Sequence, residues 1–399
     1  MNLRTVSGKK PYTRASSWAK NRLALALGAV ALAGCSVIPK TQTDAPAPVA
    51  TPTPQPTTGL PSDATRHRIA LLLPTSGNTG AVGQSLANAT TMALLDTNAN
   101  NLRITTYDTS AGAAAAARQA VADGNKLILG PLLAENVPAV QAAARPAGVT
   151  AISFSNDGSV ANSDVLVMGH VPEQSIRRTV RYARANGSNR FSALYPTGDY
   201  GQKSFSALQN ALRDYGGQLI SSESYTRGNT SIVSAAQRLR SSGGYDTVLI
   251  ADGARLATQA AGQLRSEGAS GVRLLGTELW SGEGTLAQSS EVRGALFSAV
   301  SDSRFRRFSD SYEQRFGGKP YRIATLGYDA VLLTLRVARD WRVGDSFPKA
   351  RLYDSGGFLG VDGAFRFNSN GIAERALEVR EIRAGQIVQV DAAPASFGN

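Results

Sequence analysis

Two similar apolar runs, one in each half of the folded part of the chain, constrain the fold more than any other feature. RIALLLP spans Arg68–Pro74, and RFSALYP spans Arg190–Pro196. A continuous apolar run closed by a proline is typical of a strand buried on both faces of a sheet. Each run is followed by a segment with helical apolar spacing and then by another strand-like segment. The pattern predicts two α/β lobes, each a parallel sheet with helices on both faces.

The end of the chain has a different pattern. The segment GAFRFNSNGIAERALEVREIRAGQIVQV alternates apolar and polar residues. Such alternation predicts antiparallel strands, with the final pair turning near Ala384-Gly385.

The start of the chain predicts export. Before Cys35, the only cysteine, there are six Lys or Arg residues and no Asp or Glu. The apolar run Leu23–Ala33 is too short to span a bilayer, which needs about 20 residues. A basic segment, a short apolar segment and small residues at the cut are typical of a secretory signal, here residues 1–34.

Composition limits the class of partner. The chain has 42 Lys and Arg against 30 Asp and Glu, and six of the basic residues fall in the signal. The remaining surplus is small, and no Lys/Arg block is interleaved with aromatic residues, so no nucleic-acid partner is expected. Residues 36–65 contain seven of the 17 prolines. This segment, with Cys35 the range 35–65, is predicted to be an extended linker.

The sequence offers little for catalysis. Its two histidines, His67 and His170, belong to no known catalytic motif, and no Cys/His cluster has metal-ligand spacing. His170 is interpreted as a hydrogen-bonded hinge residue. Ser346 and Lys349 match the S-x-x-K of penicillin-recognising enzymes, but Pro348 between them disfavours the helix that the motif needs. We therefore expect no enzyme activity, no metal and no cofactor.

The residues around the cysteine resemble a known motif. Leu32-Ala33-Gly34-Cys35 is similar to a bacterial lipobox. This resemblance implies that the Cys35 thiol is acylated and that Cys35 becomes the first residue of the mature protein. Ser36, where an Asp would retain the protein at the inner membrane, implies anchoring at the periplasmic face of the outer membrane.

Four segments of the body together resemble the type I periplasmic binding-protein fold, the leucine/isoleucine/valine-binding-protein superfamily. They are LLLPTSGNTGAVGQSLANATTMALLD, LILGPLLAENVPAVQAAARPAGVTAISFSND, ALYPTGDYGQKSFSALQNAL and GVDGAFRFNSNG. The resemblance covers about residues 66–391 and implies two lobes joined by three crossings of the chain. It places lobe one at 66–171 plus 299–357 and lobe two at 172–298 plus 358–391. A ligand would bind between the lobes, at the carboxyl ends of the strands.

The same resemblance implies candidate cleft residues. Hydroxyl groups at Ser76, Ser153 and Ser155 would hold a ligand carboxylate, and Tyr200 would pack on the ligand. Asp252 lies nearest to the position of an acid that pairs with the ligand amine. Two other interpretations stay open: Asp252 as the N-cap of a helix from Ala254, and Tyr200 as a packing residue at a helix start.

Within this superfamily the layout resembles the penicillin-binding protein activators, or LppC-type lipoproteins. That resemblance implies an outer-membrane lipoprotein that stimulates a peptidoglycan synthase by direct contact. The alternative is a solute receptor of an ABC importer for an amino acid or amide, because fold alone does not decide function.

Overall fold

The computed structural model describes residues 64–228, 230–266, 271–394 and 397. The predicted signal, the lipidation site Cys35 and residues 36–63 of the linker lie outside these ranges. No helix in the described part of the chain is both long and apolar enough to cross a membrane.

The first lobe is built on a five-stranded parallel sheet in the order β2-β1-β3-β4-β5. Its strands are β1 (His67–Leu73), β2 (Leu102–Asp108), β3 (Leu127–Leu129), β4 (Thr150–Ser153) and β5 (Val165–Val167). The apolar run beginning at Arg68 is therefore the buried strand that its sequence predicts. Ile69 and Leu71 face one core and Ala70 and Leu72 another, because successive side chains of a strand point to opposite faces.

The second lobe is built on a seven-stranded sheet in the order β15-β14-β10-β9-β8-β6-β7. Its strands are β6 (Arg190–Pro196), β7 (Gln218–Tyr225), β8 (Thr247–Ile250), β9 (Arg273–Leu275), β10 (Leu296–Ala299), β14 (Glu378–Arg383) and β15 (Gln386–Asp391). The pair β14–β15 is antiparallel and turns at Gly385, whose φ of 74° suits glycine. This is the turn that the sequence predicts.

Helices cover both faces of each sheet. They are α1 (Gly80–Asp96), α2 (Ala113–Ala122), α3 (Val137–Ala144), α4 (Pro172–Ala185), α5 (Asp199–Tyr215), α6 (Ser231–Ser242), α7 (Ala254–Leu264), α8 (Asp302–Phe316) and α9 (Thr325–Ala338). In the first lobe α1 and α9 cover one face, and α2 and α3 the other. In the second, α6 and α7 lie opposite α4 and α5. This arrangement confirms the predicted two-lobe α/β fold with parallel sheets.

A third, three-stranded antiparallel sheet corrects one expected boundary. Its strands are β11 (Phe358–Gly360), β12 (Gly363–Phe367) and β13 (Ala373–Arg375). Phe358, Phe365 and Phe367 pack into the core of the first lobe. Residues 358–375 therefore belong with lobe one, whereas the sequence analysis assigned them to lobe two. Alternation identifies a strand but not the sheet that it joins, because that choice depends on tertiary packing.

The chain passes between the lobes at three places, after β5, after β10 and after β13. Because β10 pairs with β9 and β14, Ala299 belongs to lobe two and not to lobe one, where the expected segment began. The helix that follows, α8, packs on α1 through Phe308 and Tyr312. These passages bring the carboxyl ends of strands from both lobes to a common cleft.

Candidate binding cleft

The cleft between the lobes has a volume of about 460 Å³. This lies within the range of small-molecule sites, roughly 300–1,000 Å³. Its walls are formed by Thr79, Val82, Leu132, Leu133, Phe154, Asn156, His170, Glu278, Leu279, Ser281, Glu283, Tyr321, Arg322, Ile323 and Leu326. Residues 278–283 come from lobe two, His170 lies on a crossing segment, and the others come from lobe one.

The wall contributed by lobe one is mostly apolar. Leu132 and Leu133 follow β3, and Phe154 follows β4. Ile323 lies in the turn just before α9, and Leu326 lies in the first turn of α9. These side chains can pack on an apolar ligand body, but they supply no hydrogen-bond donor or acceptor.

The three serines expected to hold a carboxylate do not line this wall. Ser153 is fully buried, and its hydroxyl donates to the carbonyl of Pro131 at 2.9 Å. The Ser155 hydroxyl accepts from the amide of Asp157 at 3.0 Å. Ser76 is exposed, and its hydroxyl donates to Asp108 at 3.2 Å. In the structure all three hydroxyls bond within lobe one.

Asp252 is also committed to internal contacts. Its carboxylate forms an ion pair with Arg227 at 2.8 Å and accepts a hydrogen bond from the Tyr225 hydroxyl. The N-cap of α7 is Gly253, with no side-chain capping bond. The structure therefore gives Asp252 neither of the roles considered in the sequence analysis. It stabilises the ends of β7 and β8.

Tyr200 acts through its hydroxyl. This group lies 2.9 Å from Thr277 Oγ1 and donates to Glu278 Oε1 at 3.0 Å. Burial and the nearby Glu278 raise the pKa of Tyr200 well above its usual value. Tyr200 lies at the start of α5, which agrees with its interpretation as a packing residue. Its hydrogen bond orients Glu278, which lines the cleft.

Glu278 is the cleft residue that the sequence analysis did not select. It follows β9 just as Asp252 follows β8, and the run RLLGTE is the signal that points to it. Burial raises the pKa of Glu278 to about 8. Its Oε1 accepts from Tyr200, whereas its buried Oε2 has no hydrogen-bond partner among the described residues. A buried oxygen without a partner is costly, so a ligand that donates to it would bind favourably.

Arg322 brings a positively charged group to the same cleft from lobe one. Its Nη1 donates to Asp362 at 2.8 Å and its Nε to Ser281 at 3.2 Å. Its buried Nη2 has no partner within the described part of the chain. Glu278 and Arg322 together give the cleft one carboxyl oxygen and one guanidinium nitrogen with unused hydrogen-bonding capacity.

The structure confirms that His170 is a hydrogen-bonded residue of the hinge. Its Nε2 lies 2.9 Å from Asp362 Oδ2. Burial and the nearby Arg375 guanidinium lower the pKa of His170 to about 4. The imidazole is therefore neutral near pH 7, and Asp362 links it to Arg322 and to Thr325, which donates at 2.8 Å.

The residues of the S-x-x-K match are not arranged as that motif requires. Ser346 lies in a loop, and the Lys349 ammonium donates to the carbonyl of Ser163, so the S-x-x-K residues do not share a helix. Among the described residues, no three His, Cys, Asp or Glu side chains are grouped so that they could hold a metal. The fold and the cleft define a two-lobe binding protein.

The chain belongs to the periplasmic binding protein family, whose model matches residues 67–386. The leucine-binding protein LivK of Thermotoga maritima has the same fold, with a TM-score of 0.63 and 19% identity over 82% of this chain and 99% of its own. A putative branched-chain amino acid ABC transporter protein of Rhodospirillum rubrum reaches 0.71, with 19% identity over 82% of this chain and all of its own. At these identities the similarity is one of fold.

One curated relative is similar in sequence. An uncharacterized protein of Rickettsia prowazekii is 29% identical over 173 residues, which is 43% of this chain and 46% of the relative. The match spans about half the length of that relative.

Proposed function

We propose that this protein is a lipid-anchored receptor of the bacterial envelope that binds a small ligand between its lobes. Cys35 would carry the lipid, at the periplasmic face of the outer membrane. The ligand would have an apolar body and a group that donates a hydrogen bond. Such a protein delivers its ligand to an importer, the alternative that the sequence analysis left open.

The observation that carries this proposal is the unused Oε2 of Glu278 in a cleft with apolar walls. An ammonium or amide group of the ligand would donate to Oε2, and its apolar part would pack on Leu132, Leu133 and Phe154. Arg322 Nη2 is the group in this cleft to which a ligand carboxylate would bind. This arrangement differs from the serine-based site that the resemblance implies.

Calorimetric titration with aliphatic amino acids and their amides tests this function. We expect binding of the amino acids that Glu278→Gln weakens at least tenfold, because a buried hydrogen bond donated by the charged ligand ammonium is worth about 1.5–3 kcal/mol. Glu283→Gln is the matched control, since Glu283 lines the same cleft but is exposed. Equal losses in both variants, or no binding of any compound, would contradict the proposal.

A second function, activation of a peptidoglycan synthase by contact, is favoured by a different observation. The hydroxyls of Ser153 and Ser155 are bonded internally, and leucines stand at the lobe-one wall. The cleft therefore lacks the serine anchors of an amino-acid receptor, and the lobes would instead supply an outer contact surface. Glycan polymerisation by the cognate synthase, with and without the protein, tests this function. Stimulation that persists in Glu278→Gln would assign the activity to contact and not to the cleft.

A further inference from the structure

The end of lobe one that faces away from the cleft forms a second distinctive surface. Strands β1, β2 and β3 run toward the cleft, so their first residues lie at the opposite end of the sheet. Helix α9 runs the other way and ends there, and Trp341 just beyond it stacks on His67 with ring centroids 4.0 Å apart. The loop after α9 and the start of the folded chain therefore share one surface.

This surface, called here the basic end, consists of two neighbouring pockets and the loop between them. Its basic residues are Arg66, Arg68, Lys126, Arg336, Arg339, Arg342 and Arg351. Its acidic residues are Asp340, Asp345 and Asp354. Among the described residues of this surface, seven basic side chains thus accompany three acidic ones, and Arg66 and Arg68 make further contacts of their own. Two of the acids are paired within the surface, Asp340 with Arg351 at 3.4 Å and Asp354 with Arg336 at 3.1 Å.

The larger pocket combines positive charge with apolar surface. It has a volume of about 240 Å³ and is lined by Arg66, Arg68 and Lys126 together with Trp341 and Val343. Val343 is 40% exposed beside these basic groups. Arg and Lys are the usual partners of phosphate, and an exposed apolar side chain beside them, here Val343, can enter the zone between headgroups and acyl chains. The pocket therefore has the chemistry of a phospholipid headgroup site.

The position of the first described residue supports the same partner. Ala64, the first described residue, lines the pocket, and residues 36–63 connect it to Cys35. A lipid on Cys35 would therefore tether the protein from the end of lobe one that carries the basic residues. This step rests on the lipid anchoring proposed above, whereas the charge of the basic end does not.

We propose that the basic end docks on a membrane surface that contains anionic phospholipids. Attraction to anionic lipid contributes about 1 kcal/mol for each Lys or Arg near the surface. The interaction weakens with salt, because exposed charges are screened beyond a Debye length. Docking leaves the cleft at the far end of the lobe open to its ligand.

Vesicle co-sedimentation tests the docking, with the full chain carrying Cys35→Ser so that no lipid holds it. The probes are vesicles of phosphatidylcholine with and without phosphatidylglycerol. We expect binding only where phosphatidylglycerol is present, with a loss at high salt. Arg339→Gln with Arg342→Gln should weaken it by about fivefold for each charge removed.

Arg306→Gln with Arg307→Gln is the matched control, because these two exposed arginines lie on α8, outside the basic end. Both double variants keep residues 1–63, so any contribution of that segment is the same in each. Equal losses in the two variants, equal binding to neutral vesicles, or binding to isolated cell wall but not to vesicles would overturn the proposal. Ligand titration on the same preparations separates this result from a failure of the proposed receptor function.

Discussion

Lys203 at the start of α5 in lobe two forms an ion pair with Asp157, which follows β4 in lobe one. The ammonium also donates to Ser159 at 3.2 Å. Burial opposes ionisation of Asp157, but hydrogen bonds from Lys203 and Ser159 outweigh it and lower the pKa of Asp157. This pair joins the two lobes in addition to the three chain crossings.

Removal of this pair should favour separation of the lobes. We expect Lys203→Ala to increase the radius of gyration in small-angle scattering, because Asp157 would lose its partner in lobe two. Arg145→Ala is the control, since Arg145 pairs with Asp164 at 2.7 Å within lobe one. An unchanged radius in Lys203→Ala, or the same increase in the control, would show that the pair does not hold the lobes together.

Glu278 should make stability fall as pH rises. Its pKa is about 8 in the folded protein, against 4.5 ordinarily. The folded state therefore keeps a proton that the unfolded state loses, so this contribution is complete below pH 4.5 and disappears by about pH 8. Relative to Glu278→Gln, the parent protein should lose about 4–5 kcal/mol of unfolding free energy across that interval. Denaturant titrations across the interval measure it, and parallel curves for the two proteins would contradict it.

Each lobe has a glycine that allows a helix to approach the end of a strand. A Cβ on Gly83 would lie 1.7 Å from the Pro74 carbonyl oxygen, and one on Gly201 would lie 1.7 Å from that of Pro196. We expect alanine at either position to destabilise the protein by about 1–3 kcal/mol or more, since a backbone must move. Gly262→Ala is the control, because its nearest neighbour would be at 3.7 Å. Thermal unfolding should show a slight gain for the control, and a matching loss there would refute the steric cause.

Among the carboxylates at the hinge, Asp362 should be the one whose replacement destabilises the protein most. It is 1% exposed and bonds His170, Arg322 and Thr325. Asp362→Asn would leave the Arg322 charge without its buried partner, so we expect a loss of about 3–5 kcal/mol. The control Asp354→Asn removes an exposed pair with Arg336 and should change little. Denaturation midpoints compare the two, and equal effects would contradict the buried-pair explanation.

Cys35 should be required for membrane attachment. Labelling of cells with a palmitate analogue should mark the parent protein, and the label should be lost in Cys35→Ser because the acylated thiol is gone. Ser36→Cys combined with Cys35→Ser is a position control, since it moves the thiol by one residue. A label that persists in Cys35→Ser would show that the acyl chain is not attached to Cys35 and would contradict the proposed anchor.

The fold was largely predictable from local patterns. The runs beginning at Arg68 and Arg190 are buried parallel strands, and the alternating residues after 378 are the predicted antiparallel pair. These predictions hold because burial on one or both faces of a sheet dictates the spacing of apolar residues along a strand.

The site was less predictable, because its groups meet only through the tertiary structure. Ser155 and Asp252 follow buried strands as predicted, and Ser153 is the last residue of β4. The side chains of all three nevertheless bond inside their own lobes. Glu278 and Arg322, 44 residues apart in the sequence, line one cleft. Residues 358–375 show the same alternation of apolar and polar residues as the strands of lobe two that follow them, but they pack in lobe one. The sequence determined which segments are strands and helices, since that depends on spacing along the chain. Which polar groups keep a donor or acceptor without a partner depends on neighbours that are distant in sequence. Only the tertiary structure decided that, because it brings those neighbours together.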